Sequence, residues 1–372
     1  MKDWKKILFR MAASLFMIAL ALEIFLRIYN PFPFRVKGDK IVLPVNRKYL
    51  IRNAKSPRLD REITHTKNSI GFRGDEPPAD PSKALSLITV GGSTTECFFL
   101  SDGKTWPDLL GTRMKQDFRE VWLNNAGLDG HSTFGHQVLL EDYLCKIRPR
   151  MVVFLVGGND VGRDDLSEYD RHNLKKDEKD DFSAMLDKVL EKSEIVLLSM
   201  NLERVYNAQK KDLAHKSIDI STLESLDIPE ETVAREVARH RERHIPAYRA
   251  RLLRLIETSR ACGIEPLFLT QPALYGKGTD QATGVSLETL KVYEGSSGKL
   301  EWSILEAYNE ATREVCREKG VNFIDLAGKM PKNSAYYYDY IHFTNAGAAK
   351  VADIVYDALK PHLREKYGQY AR

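Results

Sequence analysis

Five short apolar runs constrain this chain more than any other feature of its sequence: Leu87–Val90, Val121–Leu123, Met151–Val156, Pro266–Thr270 and Val321–Ile324. Helical patterns lie between several of them, for example Tyr248–Ser259, just after Pro246, and Ile304–Glu318. A strand apolar at every position must be covered on both faces, and alternation with helices points to a parallel sheet between two helical layers. The expected fold class is therefore α/β. More than 100 residues separate the third run from the fourth, too many for one crossover helix. The interval holds the charge-rich stretch Arg163–Lys192 and an amphipathic stretch around Leu223–Leu255. It predicts a mainly helical insertion at about 161–245, whose charges face solvent.

The first 30 residues differ in character. Met1–Lys6 is basic, and Ile7–Ile28 is mostly apolar, broken by Arg10, Glu23 and Arg27. Met11–Leu22 is uncharged but short against the roughly 20 residues needed to cross ~30 Å of hydrocarbon. Arg10 can reach one interface, while Glu23 and Arg27, four apart, can pair near the other. Residues 1–30 are therefore expected to form a signal anchor, a single transmembrane helix. Cleavage is the competing reading, because Ala19-Leu20-Ala21 is an A-x-A pattern; against it, the apolar pattern continues through Ile24, Phe25 and Leu26. A soluble amphipathic helix fits worst, since Met11–Leu22 has no polar face. The basic start favours a cytoplasmic N-terminus and an extracytoplasmic body, although Arg35, Lys37 and Lys40 weaken the asymmetry. Pro31, Pro33 and Pro44 mark an extended linker and N-terminal extension over 31–80, ahead of a main domain at 81–365.

Five basic residues against two acidic ones place +3 of the formal +4 charge in those first 30 residues. The remainder is nearly neutral and offers no basic stripe for phosphates, so nucleic-acid binding is disfavoured. Cys97, Cys145, Cys262 and Cys316 have neither CxxC nor His-paired spacing, which excludes a zinc motif and a dense disulfide framework. A single disulfide stays open, with no pairing assigned. There is no GxxxxGK[ST], GxGxxG or GxSxG, so the common nucleotide loops and the α/β-hydrolase elbow find no support.

Four constellations carry chemistry. Val90-Gly91-Gly92-Ser93-Thr94-Thr95-Glu96 directly follows the first predicted strand. Its glycines permit a tight strand-to-helix turn that exposes the next hydroxyl, and Ser93 with Glu96 equally reads as a capping box. Asn124-Asn125-Ala126-Gly127-Leu128-Asp129-Gly130-His131 follows the second strand, where Gly130 lets a backbone N–H approach a ligand or simply makes a turn. Gly157-Gly158-Asn159-Asp160 follows the third, and Asn159 offers an amide at a strand's C-terminal end, where ligands of open parallel sheets bind. Last comes Tyr338-Asp339-Tyr340-Ile341-His342-Phe343-Thr344. An imidazole base wants a carboxylate on its other nitrogen, and Asp339 can reach His342 within one loop. The plain alternative is a surface loop with Thr344 capping the last helix.

Singly these are weak; their order is informative, because a parallel sheet gathers the ends of successive strands along one edge. In that order the chain resembles the SGNH (GDSL-type) hydrolase family, as a membrane-anchored bacterial member, over roughly Leu87–Tyr356. Gly-Gly-Ser-Thr-Thr stands where the family has Gly-Asp-Ser-Leu. The resemblance implies a five-stranded parallel sheet of flavodoxin-like type, with Ser93 as nucleophile, His342 as general base and Asp339 as its carboxylate. It implies oxyanion donors from the backbone N–H groups of Ser93 and Gly130 and the amide of Asn159, with no metal or organic cofactor. The implied function is an extracytoplasmic serine esterase at the bacterial inner membrane, acting on O-acyl, especially acetyl, groups of cell-surface carbohydrate. An O-acyltransferase, a lipid esterase or thioesterase, and a non-catalytic envelope scaffold are the alternatives. Tyr336, Tyr337, Tyr338, Phe98, Phe99 and Trp302 are candidate stacking surfaces for sugar rings, with burial in the core as the competing reading.

Overall fold

The structure, a computed structural model, describes residues 2–29, 36–37, 40–53, 56–163, 193–199, 202, 215 and 217–372. Two compact units emerge, residues 1–44 with 171–214 and residues 45–170 with 215–372.

In the first unit, helix α1 runs Lys2–Ile28, and its segment Trp4–Ile28 is long and apolar enough to cross a membrane. Phe9, Phe16, Met17, Ile18 and Phe25 are all exposed on it. Helix propagation through both flanks lengthens the short uncharged core to 25 residues, and Arg27 Nε bonds Glu23 Oε1 at 2.9 Å, the pair expected from their spacing. A ribbon follows, β1 (Val36–Lys37) against β2 (Lys40–Ile41).

The second unit is built on a six-stranded sheet. Its strands are β5 (Arg73–Gly74), β6 (Leu85–Val90), β7 (Val121–Asn125), β8 (Met151–Val156), β9 (Glu265–Thr270) and β10 (Phe323–Ile324), in spatial order β10-β9-β8-β6-β7-β5. Five strands are parallel, each within two residues of an apolar run. The sixth, β5, adds antiparallel to β7 and covers what would be an open edge. Residues 31–80, expected as a linker, thus also supply β5 and a hairpin, β3 (Arg47–Arg52) against β4 (Glu62–Lys67). In β4 the buried positions are Ile63, His65 and Lys67. A period-2 pattern carried by histidine and lysine is invisible to a search for apolar alternation.

Successive side chains on a strand point to opposite faces, and both faces are covered. Met151, Val153 and Leu155 share a core with Leu110 and Met114 of α3 (Trp106–Asp117) and Val351 and Val355 of α9 (Asn345–Lys366). On the other face Val152, Phe154 and Val156 are equally buried, and Phe154 stacks on Phe268 at 5.2 Å. Helices α7 (Ile245–Ala261) and α8 (Gly298–Lys319) pack on β9 there, and α4 (Thr133–Leu139) packs on α7. The result is the expected three-layer sandwich. Cys145 at the start of α5 (Cys145–Ile147) forms a disulfide with Cys262 beyond α7. Residues 164–192, nearly all of the charge-rich stretch Arg163–Lys192, lie outside the described residues. Its described C-terminal part includes α6 (Glu230–Arg243).

Candidate active site

Taken in chain order, the five parallel strands lie 2-1-3-4-5 across the sheet. Connections leave β6 and β8 in opposite directions, so a crevice opens beyond their C-terminal ends, the place where open α/β sheets bind ligands. Ser93 follows β6 and Asn159 follows β8.

Ser93 begins the one-turn helix α2 (Ser93–Glu96), but the capping residue is Gly92 and no side chain caps the turn. The capping-box reading therefore fails. Ser93 Oγ instead lies 2.7 Å from His342 Nε2, and the Glu96 carboxylate accepts the N–H of Asp129 at 2.6 Å. So short a helix cannot hold its own shape, and its carbonyls are pinned from outside. Arg73, fully buried, donates to the carbonyls of Glu96 and Cys97 at 2.9 and 2.8 Å. Trp106 Nε1 donates to Thr94 O at 3.1 Å, and Asn125 Nδ2 to Thr95 O at 2.7 Å.

Asp339 precedes His342 in the loop that ends at α9, whose N-cap is Thr344 through Gly347 N. Its Oδ1 accepts the N–H groups of Ile341 and His342 at 2.9 and 2.8 Å, and its Oδ2 meets His342 Nδ1 at 2.6 Å. Burial pushes the Asp339 carboxyl up, yet the His342 charge and the donors around it hold it below the usual carboxylate range. With an ionised acceptor on Nδ1, the proton of neutral His342 belongs there. Nε2 is then the acceptor facing Ser93, an arrangement that can take the hydroxyl proton and steady the resulting imidazolium.

Asn159 Nδ2 donates to His131 O at 3.0 Å and lies against the turn before Ser93. A Cβ on Gly92 would come within 2.3 Å of that nitrogen, so only glycine leaves room for the amide. Gly130 holds a left-handed turn, φ +76°, next to His131. Gly92, Ser93, His131, Asn159, Gln271 and Ile341 line a small cleft.

Sequence reading missed the partners behind this site. Lys67 Nζ lies 3.4 Å from Glu96 Oε1, with both side chains buried. His215 sits with its ring centroid 4.0 Å from that of His342. Its Nδ1 is 2.6 Å from Tyr338 Oη and its Nε2 3.3 Å from Asp129 Oδ1. No local motif marks His215, which lies inside the long interval between β8 and β9. His215, Asp339 and His342 each have a ligand atom within 4.8 Å of the others, but the nitrogens of both rings are already engaged by Ser93, Asp339, Tyr338 and Asp129. Of the candidate sugar-stacking residues, Tyr337 and Tyr338 are buried, and the Trp302 ring is covered by Lys332 Nζ, 3.3 Å from its centroid.

A model of the GDSL-like lipase/acylhydrolase family matches residues 89–350. No curated protein matches the chain in sequence. Among solved structures, an acetylxylan esterase from Geobacillus stearothermophilus is similar at 13% identity, covering 74% of this chain and 94% of that one, with a TM-score of 0.41. An α/β hydrolase enzyme from the metagenome of Lake Arreo is similar at 15% identity, covering 74% and 96%, with a TM-score of 0.42.

Proposed function

The chain belongs to the GDSL-like lipase/acylhydrolase family and is an ester hydrolase, and on that premise we propose that Ser93 is its nucleophile, His342 its general base and Asp339 the carboxylate that orients the base. The observation carrying this reading is the 2.7 Å approach of His342 Nε2 to Ser93 Oγ. Ser93 Oγ attacks the ester carbonyl as its proton passes to His342, and the tetrahedral oxyanion is received by the N–H groups of Ser93 and Gly130 and the amide of Asn159. His342 returns the proton to the departing alkoxide, leaving an acyl-enzyme. Water, deprotonated by His342, then releases the acid and restores Ser93.

The acyl group is a short one, acetyl above all. The cleft beside Ser93 is small, which favours a methyl group over a fatty chain. The body is placed outside the cytoplasm, with α1 as a single-pass anchor in the bacterial inner membrane. The basic residues Lys2, Lys5, Lys6 and Arg10 ahead of the apolar stretch support that orientation. The Cys145–Cys262 disulfide supports an oxidising compartment. An anchored envelope esterase meets carbohydrate and lipid, and short acyl groups are those that carbohydrate carries; O-acetylated cell-surface carbohydrate is the proposed substrate.

A fluorophosphonate probe tests the nucleophile: the wild type labels and Ser93→Ala does not. Acetate release from an O-acetylated polysaccharide, compared with hydrolysis of octanoyl esters, tests the substrate. A preference for octanoyl esters would overturn the short-acyl reading while leaving Ser93 in place.

A further inference from the structure

His215 belongs to the long connection between β8 and β9, outside the four constellations. Its segment is tied down by Ile218 N donating to Tyr338 O at 2.9 Å. Both of its ring nitrogens are engaged, Nδ1 by Tyr338 Oη at 2.6 Å and Nε2 by Asp129 Oδ1 at 3.3 Å. A ring bonded on both sides has no nitrogen left for a substrate, so any influence on the reaction passes through its neighbours.

Those neighbours belong to the two halves of the site. Asp129 immediately precedes Gly130, on the loop whose N–H is assigned to the oxyanion. Tyr338 immediately precedes Asp339, on the loop that carries the base, and its ring stacks on His342 at 5.6 Å with only 12° between planes. The His215 ring itself lies 4.0 Å from that of His342, and Phe99 packs against it at 5.2 Å. Burial disfavours a charge on His215, but Asp129, with Asp339 and Glu96 behind it, holds its pKa above the ordinary value.

We propose that His215 is a positioning residue, a strut that joins Asp129 on the oxyanion loop to Tyr338 on the base loop and covers one side of His342. This rests on the roles assigned to Ser93, His342 and Gly130. The β8–β9 connection is then part of the machinery, because a Ser–His pair is productive only while the oxyanion donors keep register with it, and an ångström of slippage costs orders of magnitude in rate.

The test is steady-state kinetics on a small acetyl ester, with the full chain in detergent. His215→Ala is expected to lower kcat about 10- to 100-fold with KM nearly unchanged and the melting temperature retained. Asp129→Ala and Tyr338→Phe, which each cut one arm, are expected to lower kcat less, and to have no further effect in the His215→Ala background. His215→Gln, which can still donate toward Asp129, recovers part of the loss. Wild-type kcat in His215→Ala, or fully additive losses in the double variants, would overturn the strut while leaving the Ser93 reading untouched. Should His215→Ala not fold, the single-arm variants decide the question, and unchanged kcat in both overturns it. Turnover surviving in Ser93→Ala would instead remove the premise.

Discussion

The carboxylate of Glu96 accepts the backbone N–H of Asp129 at 2.6 Å, and this bond joins the helical turn of Ser93 to the loop of Gly130. The same carboxylate lies 3.4 Å from the buried Lys67 ammonium, so a strand of the N-terminal extension stands behind both.

Removing one member of a buried ion pair strands the other and typically costs ~3–5 kcal/mol. Glu96→Ala is therefore expected to lower urea stability by about that much and to depress kcat, since Asp129 loses its anchor. Glu96→Gln keeps an acceptor for Asp129 without the charge and should fall between. A loss in Glu96→Ala below ~1 kcal/mol would show that Lys67 reaches solvent instead.

Asn159→Ala is expected to lower kcat roughly 10²-fold, as loss of an oxyanion donor does. Gly92→Ala should act through the same amide, because its Cβ occupies the space 2.3 Å from Asn159 Nδ2. The two losses should overlap: adding Gly92→Ala to Asn159→Ala changes little, and kinetics on the double variant measure this directly. Independent, multiplying losses would mean that Gly92 acts elsewhere.

The Cys145–Cys262 bridge spans 117 residues of chain. By the chain-entropy account a loop of that length restrains the unfolded state by about 5 kcal/mol. Cys145→Ser should show a loss of this order in denaturant titrations, and reductant should do the same to the wild type while leaving the variant unaffected. Equal midpoints with and without reductant would argue against the bridge.

His65 is buried, and burial, with Arg73 and Lys67 nearby, brings its pKa down to about 3. In the unfolded chain it titrates near ~6.5. Between those values the unfolded state binds the extra proton and the folded state does not, so stability falls as pH drops below about 6.5 and is unaffected above it. The slope from this group approaches ~1.4 kcal/mol per pH unit. Unfolding midpoints at pH 7.5 and 5.5 should therefore separate further in the wild type than in His65→Gln; equal separation would mean His65 carries its charge in the folded state.

Local periodicity determined much of this protein. Short apolar runs marked all five parallel strands. Pro246 announced the helix that begins at Ile245, and the spacing of Glu23 and Arg27 announced their contact. Each of these is decided within a few residues, where backbone sterics and side-chain period leave little choice. The order of Ser93, Gly130, Asn159, Asp339 and His342 was readable because a parallel sheet collects strand ends by topology alone.

Tertiary structure decided the rest. The two residues β5 contributes to the sheet are too few to show any period, and β4 buries His65 and Lys67, which look like surface residues until Glu96 stands beside them. His215 meets Asp129 and Tyr338, 86 and 123 residues away in sequence, and nothing in its neighbourhood along the chain reports that meeting. Ser93 could have capped its own helix; whether its hydroxyl turned to Glu96 or to an imidazole 249 residues on depended on the packing of distant loops, because the local bond and the distant one use the same oxygen.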